Sequence, residues 1–377
     1  MDKTYRFSGP GRTEISGNHT DHQHGCVLAA AVNLDTTAEV TLNDTEYIRV
    51  FSDGFAPVEV DLSDLHPRRE EYNTTAALVR GVAAAFDQRG AKLRGIDAVV
   101  HSTVLPGSGL SSSAAFEIML ATVFNELFFE GKLDPVEIAQ IGQYAENLYF
   151  GKPSGLMDQM ASSVGGMVFI DFEDPTEPGV EKLDFDFNKA GHALCIIDSG
   201  ADHADLTDEY SAVTRELKEV CSFFGKNVLR EIPEDEFLSR IPALRGNVPD
   251  RAILRAIHFY QENKRVVMQA EALKNNDFDL FLRLVKESGR SSWMYLQNIT
   301  PAGAVEHQEV AVALAMCELF LKGRGASRVH GGGFAGTVQA FVPVDMLDQF
   351  KANIESTLGK GKCHILSIRS QGGIQIK

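Results

Sequence analysis

A run of glycine and serine, Pro106-Gly107-Ser108-Gly109-Leu110-Ser111-Ser112-Ser113-Ala114-Ala115, holds the densest set of anion-binding features in the chain. Glycines let a backbone approach a ligand closely. The first N–H groups of a following helix have no partner in the chain, and its dipole favours negative charge. Three consecutive serines add hydroxyls that bond phosphate or reach Mg²⁺. The stretch reads as a phosphate cradle; the plainer alternative is a turn with a serine N-cap. A second set lies between Gly9 and Gly25, where Arg12, His19 and Asp21 suit charge-assisted hydrogen bonds to several hydroxyls. His19, Asp21, His22 and His24 crowd six positions, a spacing a metal could use, but no such cluster recurs downstream. Further on stand Glu146 and Asp158, the latter either a helix-start acid or a catalytic base. Gly331, Gly333 and Gly336 satisfy G-x-G-x-x-G, yet a strand pattern follows them, the wrong context for a dinucleotide fold. That segment reads as a tight turn or as a close backbone approach to a second part of the same phosphates.

These residues need elements to position them. Ile96 to Val104 reads as a strand and Phe116 to Phe128 as an apolar helix, so the Gly/Ser run feeds a helix N-terminus. Gly9 to Gly25 reads as a polar loop set before a buried strand, Cys26 to Leu34. Glu39 to Asp61 alternates like a hairpin, and Asn73 to Arg89 has helical spacing. Val136 to Tyr149 predicts a helix carrying Glu146; Gly and Pro then break it and place Asp158 near the start of the next. His192 to Asp198 and Thr337 to Val342 read as strands. Asp205 to Phe224, Arg251 to Ala272, Phe278 to Glu287 and Val305 to Leu321 read as helices. The acidic, proline-containing stretch Asp171 to Asp186 suggests two domains, 1–190 and 191–377.

With 377 residues, 44% apolar and 23% charged, the chain has the composition of a soluble globular protein. A net charge of −16 argues against nucleic-acid or anionic-membrane surfaces. No apolar run is long enough for a membrane span, and the start carries no signal-peptide pattern. Five scattered cysteines with no CxxC pair fit thiols in a reducing cytoplasm.

Three motifs in this order resemble the galactokinase branch of the GHMP small-molecule kinases. Gly11-Arg12 through Gly17-Asn18-His19-Thr20-Asp21 is similar to GR-x4-GEHTDY. Gly109-Leu110-Ser111-Ser112-Ser113-Ala114-Ala115 is similar to the family phosphate loop, and Gly331-Gly332-Gly333-Phe334-Ala335-Gly336 to its third motif. Ala145-Glu146 with Gly155-Leu156-Met157-Asp158-Gln159 resembles the segment of the magnesium glutamate and catalytic aspartate. Asp208-Glu209-Tyr210 resembles that of a sugar-contacting tyrosine. A P-loop and a protein-kinase HRD/DFG set are absent.

The resemblance implies an α+β, two-domain fold, ribosomal protein S5 domain 2-like in the N-terminal half and ferredoxin-like in the C-terminal half. It implies an ATP-dependent sugar 1-kinase acting as a monomer. Gly107, Ser108, Gly109, Leu110, Ser111, Ser112, Ser113 and Ala114 would hold ATP, and Ser113 and Glu146 would hold Mg²⁺. Asp158 and Arg12 would be catalytic, and Asn18, His19, Asp21, Gly155 and Tyr210 would bind sugar. Asn18 and His22 replace the family Glu and Tyr, and Asp202 stands where a basic residue is frequent. In the family that Glu binds the 6-hydroxyl of galactose. Asn18 removes a charge there, and Asp21-His22-Gln23-x-Gly25 also resembles plant galacturonokinases, so galacturonate or another C6-modified sugar stands as an alternative to galactose. A regulator that binds sugar and ATP without turnover is the alternative of another class.

Overall fold

The computed structural model describes residues 3–104, 109–152, 154–201, 206–334 and 336–377; the expectations placed on Pro106, Gly107, Ser108 and Asp202 lie outside the described residues. The chain first builds β1 (Tyr5–Ser16), β2 (Cys26–Leu42), β3 (Tyr47–Ser52), β4 (Val58–Asp61), β5 (Ile96–Ser102), β6 (Met167–Asp171) and β7 (Gly179–Leu183) into one sheet. Its centre is β2, which runs antiparallel to β1 on one edge and, on the other, to β6 along Cys26–Ala30 and to β5 along Thr36–Leu42. The continuous apolar run at the start of β2 follows from burial on both faces. Val27 and Ala29 pack with Met160 and Ala161, whereas Leu28, Ala30 and Val32 turn the opposite way onto Val266, Ala270 and Phe281.

The helices of this half are α1 (Thr75–Gln88), α2 (Ser112–Phe128), α3 (Pro135–Tyr144) and α4 (Met157–Val164). Phe86 of α1 and Phe124 of α2 meet edge to face over Phe7, Val40 and Val100. The start of α3 is set by a capping box between Asp134 and Glu137, with Pro135 at its first position. Its end differs from the expected single helix. The α-helix stops at Tyr144, and Ala145–Phe150 continues as one wide π turn.

The second sheet contains β8 (His192–Asp198), β9 (Ala326–His330), β10 (Thr337–Pro343) and β11 (Cys363–Leu366) in the order β11-β8-β10-β9, all antiparallel. In sequence these are strands one to four, so the order is 4-1-3-2, the split βαβ pattern of a ferredoxin-like unit. Its first crossover is long: α5 (Thr207–Phe223), α6 (Glu234–Leu244), α7 (Asp250–Lys274), α8 (Phe278–Ser291) and α9 (Glu309–Leu321). The second is α10 (Leu347–Leu358). The chain passes from the first sheet to the second within residues 184–191, and we propose the domain division near residue 190. One strand crosses back: β12 (Ile374–Ile376) pairs antiparallel with β1, Arg6 opposite Ile376.

Gly9 to Gly25 differs from the expected polar loop. Residues up to Ser16 form the buried half of β1, and only 17–25 loop out. The polar side chains hid the strand because they bond other buried groups: Ser16 Oγ donates to Gln269, and Glu14 pairs with Arg328.

Candidate active site

Two register shifts in β1, at Pro10/Arg12 and Glu14/Ser16, interrupt its pairing with β2. Bulges of this kind re-aim side chains. Arg12, 7% exposed, reaches the first turn of α4 and grips Asp158 with two parallel bonds, Nε to Oδ1 at 2.6 Å and Nη2 to Oδ2 at 2.5 Å. Its remaining nitrogen donates to the carbonyl of Gly109, and its backbone N–H to the carbonyl of Leu110. Strand, Gly/Ser run and α4 thus meet at one guanidinium. Burial works to raise the Asp158 pKa, but the Arg12 charge and hydrogen bonds outweigh it and hold the carboxyl below its usual range.

At the start of α2, Ser111 is left-handed (φ 54°) and caps nothing with its side chain. Its hydroxyl bonds Asp158 instead, which departs from the plain N-cap reading. Ser112, Ser113 and Ala114 form the first turn, where backbone N–H groups lack intrahelical partners. A Cβ on Gly109 (φ +71°) would lie 2.7 Å from Thr337 Oγ1 and 3.0 Å from His330 Nδ1, so only glycine fits there. His330 is the support beneath it. The Glu14 N–H donates to its Nε2 (3.2 Å), which leaves the proton on Nδ1 to donate to Thr337 Oγ1 (2.8 Å). Burial keeps this imidazole neutral, its pKa well below the ordinary value.

The π turn brings Glu146 inward, 1% exposed. Its Oε1 accepts from Ser113 Oγ and Lys152 Nζ, both at 3.1 Å; its Oε2 accepts from Ser154 Oγ at 2.7 Å and Gln159 Nε2 at 2.8 Å. The Gln159 amide also donates to Glu117 Oε2 at 3.0 Å. Burial, and then the Glu146 charge, push the Glu117 carboxyl well above its usual range, which keeps it neutral. Lys152, Ser154, Gln159 and Glu117 were not anticipated from the sequence. Glu117 alone left a signal there, as the one acid of the apolar run Phe116–Leu120.

The loop 17–25 is locked from both sides. His19 Nε2 donates to the Gly332 carbonyl (3.1 Å), His22 Nε2 to His19 Nδ1 (3.3 Å), and Gln23 Nε2 to His22 Nδ1 (3.4 Å). This chain requires both imidazoles neutral, and burial holds them at about 3 for His19 and about 4 for His22. Among the described residues no group of His, Cys, Asp and Glu assembles a metal site, so the histidines of this loop form no metal cluster. Asp21 lies against Gly155, where a Cβ would come within 1.9 Å of its Oδ2. Burial, with the Asp158 charge added, pushes the Asp21 pKa up to about 6.

Asn18 departs from what was expected of it. It is 0% exposed, with Nδ2 donating to the Gly331 carbonyl (2.6 Å) and Glu14 Oε1 (3.3 Å), and Oδ1 accepting from Asn298 (2.8 Å) and Ser292 (3.3 Å). An amide has two donors and two acceptor sites, so none remains for a ligand. The glycine turn differs likewise. Its carbonyls hold residues 18 and 19, Tyr210 donates to Gly333 O at 2.9 Å, and a Cβ on Gly333 would meet Asn298 O at 2.1 Å. The close approach, among the described residues, is to the loop and its supports.

The GHMP kinases N terminal domain matches residues 77–166, and the galactokinase galactose-binding signature matches residues 2–42. A galactokinase of Haemophilus influenzae is 31% identical over 373 residues, 96% of this chain and 92% of that one. A galactokinase of Actinobacillus pleuropneumoniae is 31% identical over 361 residues, 93% and 88% of the two chains. In fold, the Lactococcus lactis galactokinase complexed with galactose superposes with a TM-score of 0.84 at 23% identity, covering 99% of this chain and 95% of that one. The Methanococcus jannaschii mevalonate kinase gives 0.68 at 13% identity over 98% of each chain. Relatives that align over nearly their whole length, on a fold shared with these kinases, leave one assignment: the chain belongs to the galactokinase family of GHMP kinases.

Proposed function

We propose that the protein transfers the γ-phosphoryl group of ATP to the anomeric hydroxyl of galactose, giving galactose 1-phosphate and ADP. The observation that carries this reading is the bidentate Arg12–Asp158 pair, tied to the Gly/Ser run on one side and in electrostatic range of Asp21 on the other. A phosphate donor and a polyhydroxylated acceptor would meet at that pair. The first turn of α2 would hold the nucleotide phosphates. Asp21, the Gly155 backbone and Tyr210 would define the sugar side; both His19 nitrogens are already engaged, so His19, expected to bind sugar, would instead hold the loop in place.

The oxygen donors Ser113 and Glu146 fit Mg²⁺, which is held by one or two carboxylates, a hydroxyl and substrate phosphates. When bound, the ion would supply charge neutralisation on the phosphates. The protein's own part is alignment. Asp158 would orient the anomeric hydroxyl and take its proton as the new O–P bond forms and the bond to the ADP oxygen breaks. Arg12 would keep Asp158 ionised and stabilise charge on the phosphoryl group in flight. Phosphoryl transfer through a loose transition state needs positioning and charge compensation more than a strong base. A carboxylate of lowered basicity therefore suffices.

The names of the relatives support galactose as the acceptor. The alternative of a C6-modified sugar rests on the charge that Asn18 removes and on the likeness of Asp21-His22-Gln23-x-Gly25 to plant galacturonokinases; the Asn18 amide is already engaged and would offer no bond to the C6 group. The test is ADP release by purified protein with ATP and Mg²⁺ across galactose, galacturonate, glucuronate, N-acetylgalactosamine, glucose and arabinose. Galactose is expected to lead. Galacturonate in first place would replace the acceptor, and binding of sugar and ATP without turnover would replace the kinase by a regulator.

A further inference from the structure

Glu146 is held so that its two oxygens have different work. Its Oε2 is fixed by Ser154 and Gln159, both supplied from behind. Its Oε1 turns to Ser113 at the head of the phosphate-loop helix. Ser113 and Glu146 are the residues that would hold a divalent ion, with Oε1 the Glu146 oxygen nearest Ser113. The same oxygen already carries a cation, the Lys152 ammonium at 3.1 Å. The two partners differ in freedom. The Glu146 side chain is 2% exposed, whereas Lys152 is 58% exposed and stands just past the π turn on a flexible four-carbon stem. Its backbone is anchored, since the Lys152 N–H donates to the Glu146 carbonyl at 3.2 Å. The stem can swing while its base stays fixed.

We propose that Lys152 is an exchangeable internal cation of the phosphate site. Without divalent metal, its ammonium neutralises Glu146 and keeps a buried carboxylate from standing unpaired. When the metal–nucleotide complex arrives, the ammonium gives up Oε1 to the ion, because two cations repel at one oxygen. It then swings onto a phosphate oxygen of the nucleotide, a role suited to a lysine acting as a point charge. Lys152 thus opposes the bare metal and assists the nucleotide. This rests on the nucleotide and Mg²⁺ reading above.

The test is direct binding to the full-length protein, independent of turnover. The probes are the non-hydrolysable β,γ-imido analogue of ATP, followed by calorimetry, and Mn²⁺, followed by electron paramagnetic resonance. In Lys152→Met, the analogue without metal is expected to bind about ten- to a hundredfold more weakly, because the Glu146 charge left without its cation repels the phosphates. Mn²⁺ is expected to bind the protein–analogue complex more tightly than in the native chain. Lys152→Arg should restore binding of the metal-free analogue. Thermal melting shows that the variants are folded; Lys152→Met, which leaves the buried Glu146 carboxylate without its cation, is expected to melt below Lys152→Arg. Unchanged affinity for either probe in Lys152→Met overturns the exchange. Failure of the native protein to bind the analogue with or without metal overturns the nucleotide site itself, and this inference with it.

Discussion

Asp158 meets two opposing demands. A good proton acceptor wants a high pKa, yet Arg12 lowers it. Asp158→Asn keeps the shape and loses the charge. Turnover should fall about 10²–10⁴-fold, with binding of galactose and the ATP analogue retained; near-native kcat in that variant would falsify the assignment. Gly155 tests the sugar side. An added methyl collides with Asp21, so Gly155→Ala should lower kcat/KM by about a hundredfold, as a displacement of about 1 Å can. Native kinetics in the Gly155→Ala variant would separate Asp21 from the sugar. Asn18 gives the opposite kind of expectation. A Glu there would turn its carboxylate toward the Gly331 carbonyl and Glu14 in a fully buried place. Asn18→Glu should cost about 3 kcal/mol or more of stability, seen as a fall in the urea midpoint.

At the scale of elements, β1 joins the halves through polar contacts where strands normally offer apolar ones. Arg328 of β9, 0% exposed, pairs with Glu14 of β1 and also bonds its carbonyl. Arg328→Met strands a buried carboxylate and should destabilise by roughly 3–5 kcal/mol; removing the charge at both positions should recover much of that. A double-mutant cycle in urea reads the coupling. The same contacts explain what the sequence could and could not convey. Elements with a single periodicity were legible: β8 matches its expected bounds, and α1, α5, α7 and α8 agree within a few residues. Residues 13–16 were not, because the side-chain partners of Thr13, Glu14 and Ser16 lie more than 250 positions away, at His330, Arg328 and Gln269. The π turn was hidden too, since Ala145–Phe150 continues a helical pattern and only tertiary packing widens it. Arg12, Asp158, Ser113 and Glu146 were legible as motif residues and do come together. Lys152 and Gln159 acquire meaning only through the oxygen atoms they share.

For the whole molecule, buried histidines set the response to acid. His19 is held at about 3 and His22 at about 4, against 6.5 for an unfolded imidazole, so below 6.5 the unfolded chain takes up protons that the folded chain refuses. Their effect on stability is therefore nil above that value and grows more unfavourable as pH falls toward 4. Asp21 works the other way: its folded pKa of about 6 lies above 3.8, so acid relieves it between those values. His258 and His330, both depressed by burial, join the larger side. The urea midpoint should fall from pH 7 to about pH 5, and His22→Gln should flatten that fall; a midpoint that rises with acid would contradict the neutral chain of imidazoles.

The pairing of β1 with β12 also governs how the protein can be made. Arg6 waits for Ile376 while the whole intervening chain is synthesised. Until then one edge of β1 has no strand beside it, and an open edge is a template for other chains. Contacts of such sequence separation form slowly. The nascent N-terminal half should therefore lean on chaperones during synthesis, and a short peptide spanning 370–377 should compete with the chain's own last strand for that edge.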